Sequence, residues 1–205
     1  MTKLDLHHFR QFCDTHGRQE LWVSVESYIL RDWAALYHIS NIRERLETGK
    51  RPRSSYIQKI SKIEKELLFE TDALMLTLNS MFGLALQIVN QAFISPPIAQ
   101  EDLKWKNLEK HPDFPPNIRG YIQPFWNHPT CQKIRDYSNI SKHIRAIHGQ
   151  LTIDFRQDVS QTDYATVKFG SKQFTLNVGD LEDCRKFTKE MLEGLISLVE
   201  ATLLI

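Results

Sequence analysis

The sequence predicts a mainly α-helical protein, a bundle of four or five helices with a small antiparallel β-hairpin or meander before the C-terminal helix. Apolar residues recur every three or four positions through most of the chain. Short alternating segments, LTIDF, YATVKF and KQFTLNV, replace that period only after Gly149. With 205 residues, of which 41% are hydrophobic, the chain can bury a core, and we expect a single domain over 1–205.

Five helices follow from this period. Gly17 is expected to stop the first, and the second, with a wide apolar stripe that includes Trp33 and Leu36, ends before Pro52. Asp180 is the expected N-cap of the last helix. The predicted ranges are 3–16, 19–47, 55–94, about 129–146 and about 180–204, with the hairpin at about 151–178.

The third helix carries no charged residue between positions 73 and 100. Its length suits a membrane span, but Asn79, Gln87 and Asn90 lie inside it and would be costly in lipid. Asn79, Gly83, Gln87 and Asn90 follow at steps of four, four and three, so they share one helix face. We therefore expect the central helix of a bundle with a small polar seam, and no membrane insertion.

The segment 98–128 contains four prolines and is predicted to be an ordered connector with one or two helical turns. It is too apolar for a disordered linker. Its aromatic residues are expected to pin it to the bundle: Trp105, Phe114, Tyr121, Phe125 and Trp126.

Charge and cysteine usage narrow the functional classes. The net charge is +1, so nucleic-acid binding would need a local basic patch. Cys13, Cys131 and Cys184 are far apart and lack CxxC spacing, which indicates thiols in a reducing compartment and no zinc site. The N-terminus lacks the apolar region of a signal peptide, so we expect a cytoplasmic protein. Nucleotide, hydrolase and di-iron motifs are absent from the sequence, and we expect no metal and no cofactor.

The densest group of chemically versatile side chains lies in RDYSNISKHIRAIHG, residues 135–149. On a helix, Arg135, Asn139, Lys142 and His143 fall within an arc of roughly 100°. Cations and an amide can hold a phosphodiester, and an imidazole can move a proton near neutral pH. The alternative is a solvated face, because amphipathic helices turn polar residues outward by default.

A second basic group lies in the loop GKRPR, which contributes Lys50, Arg51 and Arg53. The surrounding stretch, 43–66, has eight basic and four acidic residues, and the loop is a candidate contact for backbone phosphates. The alternative is a solvated connection between two helices.

The segment NISKH (139–143), followed by Arg145, a strand pair and a final helix, resembles the Asn-x-x-x-His helix of bacterial proteins in the HEPN superfamily. These are α-helical bundles linked with nucleotide and RNA handling. The segment ETDALMLTLNSMFGLALQIVNQAF (70–93) is similar to a bundle helix of some uncharacterised members. The resemblance covers roughly residues 20–204, but only these two segments carry it.

HEPN ribonucleases use an Arg-x(4–6)-His motif, usually assembled across a dimer, to cut RNA without a metal. The resemblance therefore implies RNA as a partner and a homodimer. It makes His143 the proton-transfer residue, Asn139 its polar neighbour and Arg135 the phosphate holder, with Lys142 and Arg145 as further RNA contacts.

This sequence departs from the motif, because seven residues separate Arg135 from His143. Two functions stay open, an RNA-binding protein with metal-independent endoribonuclease activity, or a non-catalytic helical interaction module. Arg10 to His16 and Arg31 to His38 also match the motif. About one such match is expected by chance, and Arg31, Asp32 and His38 stay an alternative because Asp32 adds the polar neighbour.

Overall fold

The computed structural model of the protein describes residues 5–49, 56–143, 165–169 and 172–203. Within these ranges the side chains at 49, 56–61, 64, 140–143 and 165–174 are not described. The described chain forms seven α-helices and two short strands: α1 (Leu6–Thr15), α2 (Gln19–Gly49), α3 (Tyr56–Phe93), α4 (Trp105–Leu108), α5 (Pro116–Trp126), α6 (Pro129–His143), β1 (Ala165–Phe169), β2 (Lys172–Leu176) and α7 (Val178–Leu203). The mainly α-helical prediction is confirmed.

The ends of α1 follow from two residues. Asp5 Oδ1 accepts hydrogen bonds from the backbone amides of His7 and His8, both at 3.1 Å. These amides belong to the first turn, where no helix carbonyl can accept from them. Gly17 has a φ of 64°, a left-handed conformation that favours glycine and ends a helix. The prediction that Gly17 stops the first helix is confirmed.

The start of α7 corrects one prediction. Asp180 is not the N-cap, because α7 begins at Val178 and Asn177 Oδ1 accepts the hydrogen bond from the Asp180 amide at 2.8 Å. An asparagine caps a helix as well as an aspartate does. The Asp180 carboxylate lies inside the first turn, where it pairs with Lys133 Nζ at 3.0 Å.

The connector after α3 is more helical than expected. It contains a 3₁₀ turn, Gln100–Asp102, the short α4 and the eleven-residue α5. Pro116 is tolerated because it lies in the first turn of α5, where its missing N–H costs no helical hydrogen bond. Ile118 and Ile122, one turn apart, have no exposed surface and anchor the helix.

Aromatic contacts fix this connector, as predicted. The rings of Trp105 and Trp126 stack with their centroids 5.3 Å apart. Phe114 meets Trp105 edge-on at 6.0 Å, and Phe82 of α3 meets Trp126 edge-on at 6.1 Å. These contacts hold the connector against α3.

Strands β1 and β2 pair antiparallel, with Ala165 opposite Leu176 and Phe169 opposite Lys172. Each strand has five residues, and an isolated pair of such strands is only marginally stable unless it packs against other elements. The described chain has no sheet beyond this pair. The segment 151–155, expected to be a further strand, lies outside the described residues, so a hairpin or meander over about 151–178 stays a prediction.

The chain divides into two compact units. The first combines Met1–Asp32, Ser80–Gln132 and Phe187–Ile205, and the second combines Trp33–Asn79 and Lys133–Lys186. A single-domain organisation over 1–205 therefore stays a prediction. The core of the first unit includes the fully buried Phe9, Val25, Ala85, Ile118 and Leu195. The core of the second unit includes the fully buried Ala35, Ile42, Leu74, Tyr137 and Leu181.

Part of α3, Lys65–Phe93, is long and apolar enough to cross a membrane by length and composition. Of its most hydrophobic window, 56% is buried inside the protein. The core helix of a soluble protein has the same two properties, so this helix is weak evidence for a span.

The residues of the polar seam of α3 differ in how deeply they are buried. Gly83 is exposed, whereas Asn90 is 5% exposed. Asn90 Nδ2 donates to the Ile98 carbonyl and the Ile98 amide donates to Asn90 Oδ1, both at 2.9 Å. The seam therefore includes a buried amide whose hydrogen bonds are satisfied by the chain that follows α3.

Candidate functional site

One side of α6 is anchored within the second unit. Ile134, Tyr137 and Ser138 have no exposed surface. The Tyr137 hydroxyl donates to Asp72 Oδ1 at 2.6 Å, and the Ser138 hydroxyl donates to the Met75 carbonyl at 3.2 Å. Both acceptors belong to α3, so these bonds fix the rotation of α6 about its axis.

This rotation leaves a polar face on α6. Asn139 is exposed, and Arg135 and Asp136 are half-buried and each makes electrostatic or hydrogen-bonding interactions. With Arg135 at zero, Asn139 lies at about 40° and Asp136 at about 100° around the helix. Asp136 is therefore part of the face, although sequence reasoning omitted it. The signal was available, since Asp136 precedes His143 by two helical turns.

Among the predicted RNA-contacting residues, the structure brings Arg135 and Asn139 to adjoining positions of α6. Lys142 and His143 continue the same helix, and their side chains are outside the described set. The remaining predicted contacts lie outside the described residues: Lys50, Arg51, Arg53 and Arg145.

Lys133 is a compensated cation two residues before Arg135, on a different side of α6. Lys133 Nζ is 3.0 Å from Asp180 Oδ2, and the Lys133 side chain is only 26% exposed. Because its charge is already paired, Lys133 adds little positive potential for a phosphate. Arg135 is the cation of the described part of the face, and it too makes interactions of its own.

A second cluster of titratable groups joins α2 to α3 in the second unit. Glu70 Oε2 is 2.7 Å from His38 Nδ1, and Asn41 Nδ2 donates to Glu70 Oε1 at 3.0 Å. Arg45 Nη2 is 3.5 Å from Glu70 Oε1, and its Nε is 3.3 Å from Glu66. One carboxylate side chain, 16% exposed, is therefore in contact with three polar partners.

This cluster bears on the alternative motif of Arg31, Asp32 and His38. The partner of His38 is Glu70, which the Arg-x(6)-His pattern did not predict. Asp32 is 7% exposed, and its Oδ2 lies 3.9 Å from Lys189 Nζ. Arg31 is half-buried. His38 and Asp32 thus have partners outside the motif, the Glu70 carboxylate and the Lys189 ammonium, which accounts for both residues in the fold.

A groove of about 450 Å³ lies in the first unit, between α2, α3 and the chain after α3. Its polar lining is mostly neutral, with Gln87 of the seam and Gln91, whose Oε1 accepts from the Ser24 hydroxyl at 2.8 Å. Glu20 is the charged residue in the lining. Such a lining does not suit an anion.

No group of three or more histidine, cysteine, aspartate or glutamate side chains comes together among the described residues in a way that could hold a metal ion. The three cysteines are buried thiols. Burial raises the pKa of Cys13 and of Cys184 to about 11. At neutral pH both are protonated and poor nucleophiles.

No protein-family model, no curated protein and no solved structure matches this chain.

Proposed function

We propose that this protein binds RNA through the polar face of α6, as its likeness to HEPN proteins implies. The observation that supports this most is the anchoring of α6 by Tyr137 and Ser138, which leaves Asn139 exposed beside Arg135. A guanidinium binds phosphate oxygens through charge-assisted hydrogen bonds, and an amide adds a neutral donor. A cytoplasmic location and a homodimer belong to the same proposal.

The stronger form of the proposal is RNA cleavage without a metal. His143 removes the proton of a ribose 2′-hydroxyl, and the 2′ oxygen forms a bond to phosphorus while the bond to the 5′ oxygen breaks. The 5′ oxygen leaves as a hydroxyl after taking a proton from water, and the other product ends in a 2′,3′-cyclic phosphate. Arg135 stabilises the negative charge that develops on the phosphate oxygens. An imidazole suits the proton transfer because its ordinary pKa lies close to neutral pH.

The second candidate is a non-catalytic helical interaction module. It is favoured by Asp136, whose carboxylate lies on the same side of α6 as the backbone position of His143 and repels a phosphate. The seven residues between Arg135 and His143 favour it as well. Under this hypothesis the polar face of α6 contacts a protein.

The test uses the full chain and mixed-sequence RNA in EDTA. We expect the protein to slow the migration of RNA through a gel at low salt. This retardation should weaken as the salt concentration rises, since phosphate contacts release counterions. Asn139→Ala should weaken it, whereas Gln123→Ala, an exposed amide on α5, should not. Cleavage that vanishes in His143→Ala supports the enzyme.

The outcomes separate the candidates. Retardation without cleavage supports RNA binding and overturns the ribonuclease. Neither retardation nor cleavage overturns both RNA functions and favours the interaction module.

A further inference from the structure

The second unit exposes a group of large apolar side chains on α2 and α3. The exposure of several such side chains on two neighbouring helices is unusual, since large apolar residues are normally buried or covered by a partner. Together we name these residues the α2–α3 apolar face: Trp33 is 69% exposed, Leu36 47%, Tyr37 64%, Phe69 75% and Leu76 36%.

These residues form one continuous face. Glu70 contacts both His38 and Asn41, so α2 and α3 lie side by side at this level. Tyr37 and Phe69 each immediately precede one member of the His38–Glu70 pair and turn outward from it. On α2 the face spans about 100°, and on α3 its two members, seven residues apart, differ by about 20°.

The area of the face is large enough to matter. A buried aromatic side chain accounts for roughly 150–250 Å², so the three exposed aromatic residues alone present on the order of 400 Å². A standard stable interface takes about 800 Å² from each partner, with an apolar centre and a polar rim. The face therefore supplies about half of one side of such an interface as aromatic surface.

The charges at its rim indicate the partner. Arg45 contacts Glu66, so the preceding residues Glu44 and Lys65 lie at the same end of the helix pair. Both are exposed, and neither forms an ion pair with another described residue. One negative and one positive charge, on neighbouring helices at one level, complement a second copy of the same face. They do not suit a polyanion such as RNA.

We infer that the α2–α3 apolar face is the contact between two copies of this chain. A two-fold axis parallel to the helices stacks α2 of each copy on α3 of the other. Trp33 and Tyr37 of one copy then meet Phe69 and Leu76 of the second copy. At one end, Glu44 of each copy meets Lys65 of the other. The inference does not depend on RNA binding by α6.

The first test measures the mass of the full chain by analytical ultracentrifugation from about 1 to 100 µM, a range that covers ordinary dimer affinities. We expect a dimer that Trp33→Ser and Phe69→Ser each weaken by about tenfold or more, as for central aromatic residues in interfaces. Both residues are largely exposed, so both variants should keep the circular dichroism of the wild type. Val23→Ser, at an apolar residue 55% exposed in the first unit, is the matched control and should leave the association unchanged.

The second test addresses the arrangement. Glu44→Lys and Lys65→Glu should each weaken the dimer several-fold, and the double variant should regain it, because the two charges are exchanged together. Lys186→Glu, at an exposed position of α7, controls for the change in net charge. Failure of the double variant to regain association overturns the stacking of α2 on α3.

Further outcomes decide the occupant. A wild-type chain that stays monomeric at about 100 µM overturns the inference. Trp33-dependent binding of a single-stranded oligonucleotide by a monomer also overturns it, and assigns the face to base stacking. His143→Ala and Asn139→Ala should not alter the dimer, so a failed RNA experiment leaves this inference standing.

Discussion

The Tyr137 hydroxyl donates a 2.6 Å hydrogen bond to Asp72 Oδ1. Tyr137 has no exposed surface, and its acceptor is a carboxylate, so the bond is of the stronger kind. It joins the middle of α6 to α3. The bond therefore determines which residues of α6 face outward, including both described members of the candidate site.

Removing this bond should destabilise the protein. Tyr137→Phe keeps the ring but leaves Asp72 without this donor, and we expect the free energy of unfolding to fall by about 1.5–3 kcal/mol. Asp72→Asn should cost less, because the amide oxygen still accepts. Urea denaturation followed by circular dichroism measures both. Equal losses in the two variants would contradict this account.

The cluster around Glu70 should matter more than an exposed ion pair. Glu70→Ala removes the shared acceptor of His38, Asn41 and Arg45, and we expect a loss of about 1–3 kcal/mol in unfolding free energy. Glu182 pairs with Arg43, and both side chains are 41% or more exposed. Glu182→Ala is the control and should cost less than about 1 kcal/mol. Urea denaturation of the two variants compares them directly.

Gly194 is predicted to resist substitution. A Cβ at this position would collide with the Tyr121 hydroxyl and come within 2.7 Å of its Cζ. Gly194→Ala should therefore destabilise the protein by about 1–3 kcal/mol, as overpacking does. At Gly83, also inside a helix, a Cβ would meet nothing within 4 Å. Gly83→Ala should stabilise by about 0.5–1 kcal/mol in the same thermal or urea measurement.

Alkaline pH should destabilise the protein through its buried thiols. The pKa of Cys13 and of Cys184 is raised from 9.0 to about 11 in the folded state. Above the unfolded pKa the unfolded chain loses these protons first, so stability is complete below about pH 9 and declines up to about pH 11. Urea midpoints across this interval measure the decline.

The control for that experiment is a chain with Cys13→Ala and Cys184→Ala. It should be less stable below about pH 9 because of the lost volume, yet its stability should decline less between pH 9 and pH 11. A decline as steep as that of the wild type would show that other groups cause it. Tyr121, whose pKa burial raises from 10.0 to about 12, adds to the loss between about pH 10 and pH 12 in both chains.

The long helices were predictable because their apolar period runs for many turns, and α2 and α3 end within two residues of the expected positions. The helix α5 was underestimated because its prolines masked the spacing of Ile118 and Ile122. Proline in a first turn does not oppose a helix. The cap of α7 was misplaced by three residues, since Asn177 and Asp180 are both good capping residues and only the structure distinguishes them.

The apolar stripe of α2 shows that the sequence does not determine which side of a widely apolar helix is buried. Trp33 and Leu36 belong to the predicted stripe, yet they are 69% and 47% exposed, while Ala35 and Ile39 are buried. A stripe this wide contains two faces, and the sequence does not say which one meets the core. The Glu70 cluster was missed for a related reason. Its members are about 30 residues apart in the chain, and no local period connects them.

The Asn90 amide also bears on how the protein ages. Its nitrogen donates a hydrogen bond to the Ile98 carbonyl, and its oxygen accepts one from the Ile98 amide. One side chain thus satisfies both backbone groups of Ile98, as the backbone of a paired strand would. Spontaneous deamidation turns this group into a carboxylate, which only accepts when ionised. The Ile98 carbonyl would then face a negatively charged oxygen. Hydrolysis of one side-chain bond, in a molecule of unchanged length, would thus remove the hydrogen bond that Asn90 donates to the Ile98 carbonyl.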